Sequence, residues 1–170
     1  MDVDWCVRSD VVPNLGLQAH LKAGPNKPSS CAQREAQAAV LAALIRREAL
    51  DHHPPRHAVL LGDLNDFDDE IADASGNVPR SSVLRQLGAD LNMRSAAALL
   101  ATADRWTWAG ARYPKAALDH ILLSAGLWEL LDAVTVGGPG GAVAAGASDH
   151  RPLLVELRLR SDGSAQAREL

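Results

Sequence analysis

Apolar residues recur with two different periods along this chain, and the changes of period mark out its elements. From Leu15 to Ala23, Leu15, Leu17, Ala19 and Leu21 alternate with Gly16, Gln18, His20 and Lys22, which predicts a half-buried strand carrying His20 on its polar face. The stretch GPNKPSS then reads as a loop, with Ser30 as a cap for the next element. Residues 33–50 place Ala36, Ala39, Val40, Ala43, Leu44 and Arg47 on one side, predicting a helix. A break at DHHPPRH leads into the short buried strand AVLLG, where the apolar run ends at Gly62. Beyond it, SSVLRQLGA predicts a short helix closed by Gly88, and SAAALLATA has strong helical propensity. RWTWAG, AALDHILLS (Ala116 to Ser124), AVTV and RPLLVELRLR read as strands, the last two separated by the Gly-rich loop GGPGGAVAAGAS. Strands with helices between them predict one layered α/β or α+β domain over residues 1–160, with 161–170 as a polar tail.

Composition narrows the function classes. A chain of 170 residues with 47% hydrophobic content can bury a core. Its net charge of −4 argues against a dedicated electrostatic nucleic-acid binder, yet leaves phosphate chemistry open, because a bound divalent cation reverses the local field. Cys6 and Cys31 are too few for a disulfide framework and are expected as free thiols, with a single bridge between them as the alternative. No stretch approaches the roughly 20 apolar residues that cross a bilayer, and the acidic N-terminus does not read as a signal peptide, so the chain as given is expected to be soluble, its compartment open.

Three strands begin or end in conspicuous polar residues: His20, the Asp63/Asn65 pair, and Asp149/His150. A fourth carries Asp119. Each alone has a bland reading as a solvated or capping residue, but strand ends converge on one edge of a sheet, where sites form. Several chemistries are excluded. In GDLNDFDDE the third ligand position of an EF-hand is Phe67, and Asp68 stands where that loop needs Gly. There is no P-loop, no serine-hydrolase elbow, and His52, His53 and His57 lack partners at zinc spacing. What remains is hard-cation hydrolysis, with carboxylate and amide oxygens suited to Mg²⁺ and a His beside a carboxylate suited to activating water.

VLLGDLND resembles the Gly-Asp-x-Asn motif of the endonuclease/exonuclease/phosphatase superfamily, and GASDHRPLLVEL its Ser-Asp-His-x-Pro signature. ALDHILLS resembles the strand preceding that signature, and LQAHLKAG the earlier strand with a catalytic His. Together these motifs, in the family's order, span roughly Leu15 to Arg160. The resemblance implies a DNase I-like four-layered α/β sandwich and hydrolysis of a phosphodiester or phosphomonoester by water with Mg²⁺ or Mn²⁺. It implies His150 as general base oriented by Asp119, Asp149 and Asp63 toward the metal or its water, and Asn65 and His20 toward the phosphate. The family also carries an opening Asn strand and a metal-binding Glu; no Glu precedes His20 here. The chain therefore resembles the C-terminal portion of the fold, lacking its N-terminal strands. Its role then has three alternatives: a divalent-metal-dependent phosphoesterase, which a missing N-terminal half or a complementing partner would complete; a truncated or inactive fragment serving as a binding module; and a simple α/β calcium-binding module. A phosphate ester is the expected substrate, with nucleic acid, nucleotides, sphingomyelin and inositol phosphates among the classes hydrolysed on this fold.

The remaining features have structural readings. Trp106 and Trp108 are expected in the core, with base or sugar stacking as the alternative. Asp66, Asp68, Asp69, Glu70 and Asp73 are expected as a solvated insertion, and Arg34 in a surface or interlayer salt bridge.

Overall fold

The computed structural model describes residues 14–110, 114–137 and 148–158. The Gly-rich loop between the last strands falls mostly outside them, as do Cys6 and the tail after Arg158; Cys31 is a free thiol. Four strands form a mixed sheet in the order β1 (Asn14–Gln18), β2 (His57–Asp63), β4 (Asp119–Ser124), β3 (Met93–Ser95). β1 runs parallel to β2, while β2 and β3 both pair antiparallel with β4. A parallel neighbour needs a crossover, and α1 (Pro28–Ile45) with a π turn at Arg46–Leu50 supplies it. α2 (Val83–Leu87) packs against α1 on the same side, and α3 (Ala125–Trp128) follows β4 directly. β5 (Leu131–Val136) and β6 (Leu153–Leu157) make a second, antiparallel sheet.

Strand alternation decides which face each side chain covers. Ala58 and Leu60 of β2 and Leu122 of β4 join Ala38, Ile45, Leu84 and Leu87 in a core under the helices. Their neighbours Val59, Leu61, Ile121 and Leu123 pack on the opposite face with Leu131, Val134, Leu153 and Val155 of the second sheet. A helical layer, a four-stranded sheet and a two-stranded sheet thus account for three of the expected four layers among the described residues.

Several local expectations need correction. The long helix starts at Pro28, whose ring presets the helical φ at the first position, so Ser30 lies buried in the first turn and Lys27 occupies the cap. The Ala-rich run after β3 forms only 3₁₀ turns at Ala96–Leu99 and Thr102–Asp104, since it has neither a capping side chain nor enough length to propagate. RWTWAG makes single bridges rather than a strand, Trp108 pairing with Ala116 and His150. Gly62 does not end its strand: β2 continues through Asp63. At φ 132° a Cβ on Gly62 would meet the Ala19 carbonyl oxygen at 2.1 Å, so only glycine admits this approach.

Asp66 is also misread by its acidic neighbourhood. It is fully buried and paired at 3.2 Å with Arg34, itself fully buried. Arg34 is thus an interlayer ion pair rather than a surface one. Its other nitrogens donate to the carbonyls of Gly24 (2.9 Å) and Pro25 (3.2 Å), while Asp66 accepts from the Phe67 N–H and the Ser81 hydroxyl. Asp73 is likewise buried, accepting the backbone N–H groups of Ser75 and Asn77, whereas Asp69 and Glu70 are exposed as expected.

Candidate active site

Asp63 ends β2 and Asp119 begins β4, and the antiparallel register sets them directly opposite one another. Like charges in facing positions destabilise a sheet, so nothing in strand pairing itself recommends this arrangement. The Asp119 backbone N–H donates to the buried Thr107 hydroxyl at 3.0 Å, as does that of Leu118 at 3.1 Å. The Thr107 carbonyl in turn accepts the Arg151 N–H at 2.6 Å, and Trp108 bridges to His150. One short segment therefore fixes both Asp119 and the Ser-Asp-His stretch.

His150 closes the group, with Nδ1 2.7 Å from Asp119 Oδ2. Asp63, Asp119 and His150 each offer a ligand atom, all within 4.8 Å of one another. His20 flanks the cluster from the opposite side, its Nε2 3.5 Å from Asp63 Oδ2 on a side chain 73% exposed. It is held there because Ala19 and Leu21, on either side, donate their N–H groups to the carbonyls of Leu61 and Asp63.

Asn65 sits below, nearly buried and with a left-handed backbone (φ 51°). Its own N–H donates to Asp63 Oδ1 at 2.9 Å and its side-chain amide to the Leu21 carbonyl at 3.2 Å, so it fastens the His20 strand to the Asp63 turn. Asp149 stands apart from the cluster. The Trp108 indole N–H donates to its Oδ2 at 2.9 Å, at the exposed rim.

Electrostatics follow from this geometry. Burial, then the charge of Asp119, pushes the Asp63 carboxyl above its ordinary range, partly offset by the Asn65 N–H and the two histidines. Burial alone would lower His150, but the hydrogen bond to Asp119 and the charges of Asp119, Asp63 and Asp149 outweigh it and raise it. The Trp108 hydrogen bond lowers Asp149. Two carboxylates crowded together, one of them with a raised pKa, form a donor set whose oxygens fit a hard divalent cation.

Of the residues named from sequence, the structure brings Asp63, Asp119, His150, His20 and Asn65 together and leaves Asp149 at the edge. Thr107 and Trp108 went unread as supports. Thr107 carries no sequence signal beyond its place between two tryptophans, and both tryptophans are half-buried rather than core.

A family model described as Endonuclease/Exonuclease/phosphatase family matches residues 3–150. A search of curated proteins returns no match. Among solved structures, the 3'-5' exonuclease NExo from Neisseria meningitidis superposes with a TM-score of 0.61 at 22% identity, covering 84% of this chain and 61% of that one. The endonuclease domain of TRAS1, a telomere-specific non-LTR retrotransposon, gives 0.55 at 17%, covering 81% of this chain and 54% of that one. The catalytic domain of Xenopus laevis APE2 gives 0.57 at 16%, covering 82% and 48%. The chain thus spans about half to six tenths of the length of these structures, and the likeness establishes the DNase I-like fold.

Proposed function

This chain belongs to the endonuclease/exonuclease/phosphatase family, and from that premise we propose that it hydrolyses a phosphate ester by direct attack of water, with a divalent cation and His150 as general base. The observation that carries the reading is the Asp119–His150 contact at 2.7 Å beside Asp63. An ionised carboxylate only accepts hydrogen bonds, so the proton of a neutral His150 sits on Nδ1 facing Asp119. Nε2 is then the acceptor that takes a proton from water, and the imidazolium that results is stabilised by Asp119 and Asp63.

Asp63 of the Asp63–Asp119 pair would hold Mg²⁺ or Mn²⁺, with Asp149, at the rim outside that cluster, toward the metal's water, and the ion would neutralise charge growing on the phosphoryl oxygens. Asp63 additionally orients the attacking water. His20 and the remaining amide hydrogen of Asn65 are the donors to the phosphate. The substrate is a phosphodiester of nucleic-acid type, in keeping with the superposing structure described as a 3'-5' exonuclease and with another described as bound to product DNA hairpin. A binding role without turnover is the second reading, favoured by the position of Asp149, held by Trp108 at the rim and outside the Asp63–Asp119–His150 group.

Hydrolysis of bis-p-nitrophenyl phosphate by this chain with Mg²⁺ or Mn²⁺ tests the choice. The expected result is metal-dependent turnover that falls on the order of 10²-fold or more in His150→Ala, in the range of losses typical for general acid–base groups. Equal turnover in that variant sinks the mechanism, and no turnover with retained oligonucleotide binding selects the second reading.

A further inference from the structure

One residue along the chain from His150 begins a group of charges that the proposed chemistry does not use. The Lys115 ammonium is 4.2 Å from the centre of the Trp106 ring, and the Arg151 guanidinium is 3.8 Å from the same centre. Both cations are therefore held by one indole, and their separation cannot exceed the sum of those two distances. Among the described residues neither takes part in an ion pair with a carboxylate, in a chain where acidic residues outnumber basic ones. Arg151 is steadied further by donating to the Val136 carbonyl at 3.2 Å, while Lys115 is exposed.

The placement ties these charges to the site. Arg151 directly follows His150, and Trp106 directly precedes Thr107, whose hydroxyl and carbonyl hold Asp119 and Arg151. An aromatic ring attracts cations through its negative face without neutralising them, so the two charges stay available to an anion while their side chains lose freedom beforehand. Two such cations, one of them on the residue after His150, suit a substrate that carries further phosphates along with the one that is cut.

We propose that Lys115 and Arg151, splinted by Trp106, form a subsite for the phosphodiester neighbouring the one that is cut, so that the substrate is a polynucleotide strand rather than a mononucleotide or a singly phosphorylated small molecule. This rests on the reading of the Asp63–Asp119–His150 cluster as the cleaving centre.

Two measurements on the full chain test it. The first is binding of a fluorescein-labelled oligothymidylate in EDTA, followed by anisotropy across a salt series. Removing one phosphate-contacting cation lowers the slope of log affinity against log salt by about 0.7 for a single strand, and this is expected for Lys115→Met and again for Arg151→Met. The second is hydrolysis of the p-nitrophenyl ester of thymidine 5'-monophosphate, which carries one diester and no neighbour. Lys115→Met is expected to raise KM for the oligonucleotide several-fold and leave the single diester unchanged.

An unchanged salt slope in Lys115→Met overturns the subsite, as does equal loss on both substrates or failure of the wild-type chain to bind the oligonucleotide. Binding with the expected slopes but without hydrolysis leaves the subsite standing and removes the cleaving centre instead. A purely structural role for the Trp106 stack would alter thermal stability and leave the salt slope where it was.

Discussion

Asp63 and Asp66 stand three residues apart in one turn, and each faces a basic partner, yet they do opposite work. Asp66 is sealed with Arg34 at zero exposure, and the surrounding carbonyls, a hydroxyl and an N–H satisfy the pair's other hydrogen-bonding positions. Asp63 is half-buried against a second carboxylate, with histidines on both flanks. The first arrangement is what a fold builds when a charge must be buried: complete pairing, with the loop at residues 22–25 tied to the turn after β2. The second is what a fold avoids unless something else requires it, since Asp63 and Asp119 oppose each other in register. Charge alone does not distinguish a strut from a site; the completeness of its partners does.

The largest effect should come from opening the strut. Arg34→Met leaves Asp66 buried and unpaired, and breaking a buried pair in this way costs about 3–5 kcal/mol. Urea unfolding should show that loss as a lower midpoint with an unchanged slope. A loss below about 1 kcal/mol, the range of exposed pairs, would mean that water reaches Asp66 and that the contrast with Asp63 is one of degree.

The same contrast explains what could be read in the chain beforehand. Asp63, Asn65 and His150 were legible because they flank short apolar strands, and Asp119 because it interrupts the apolar strand read over Ala116 to Ser124, which in the structure begins at Asp119 itself. The mixed α/β character followed from the same alternation, which Val59, Leu60, Leu61, Ile121 and Leu122 obey face by face. Asp66 was not legible, because its partner lies 32 residues upstream on a helix and nothing local separates a buried aspartate from the exposed Asp69 and Glu70 beside it. Thr107 escaped for a similar reason: its hydroxyl serves backbone groups 11 and 12 residues away. β3 was missed because three residues carry too short a pattern to register a period. Long-range partners, not local propensity, were the missing information.

Removing one of the crowded carboxylates should act the other way on stability. Asp63→Asn keeps an oxygen for the Asn65 N–H and deletes the charge that Asp119 repels. A carboxyl whose folded pKa is raised stabilises the fold fully below its unfolded pKa and loses that contribution as pH rises through the folded value. The variant should therefore match the wild type near pH 3–4 and exceed it at neutral pH in metal-free buffer, while hydrolysis falls on the order of 10²-fold or more. A variant less stable than the wild type at neutral pH would show that Asp63 belongs with Asp66 as a structural residue.

The smallest effect belongs to the His150–Asp119 contact itself, and it sharpens the comparison because its geometry is tighter than that of the strut. At 2.7 Å it is shorter than the 3.2 Å between Arg34 and Asp66, so distance alone would rank it the stronger. Its side chains, however, are 31% and 25% exposed, and solvent screening holds such pairs to about 0–1 kcal/mol. The raised pKa of His150 sets the pH window: the charged form is the stabilised one, so the contribution is present below the ordinary histidine range and is lost as pH climbs through the higher folded value. Denaturation of the wild type and His150→Gln at a series of pH values should show a small gap at pH 5–6 that closes toward pH 9. A gap that persists at high pH would mean that the neutral imidazole, not the ion pair, supports the fold. His150 would then be partly strut as well as base, and completeness of partnering would no longer separate the two regions.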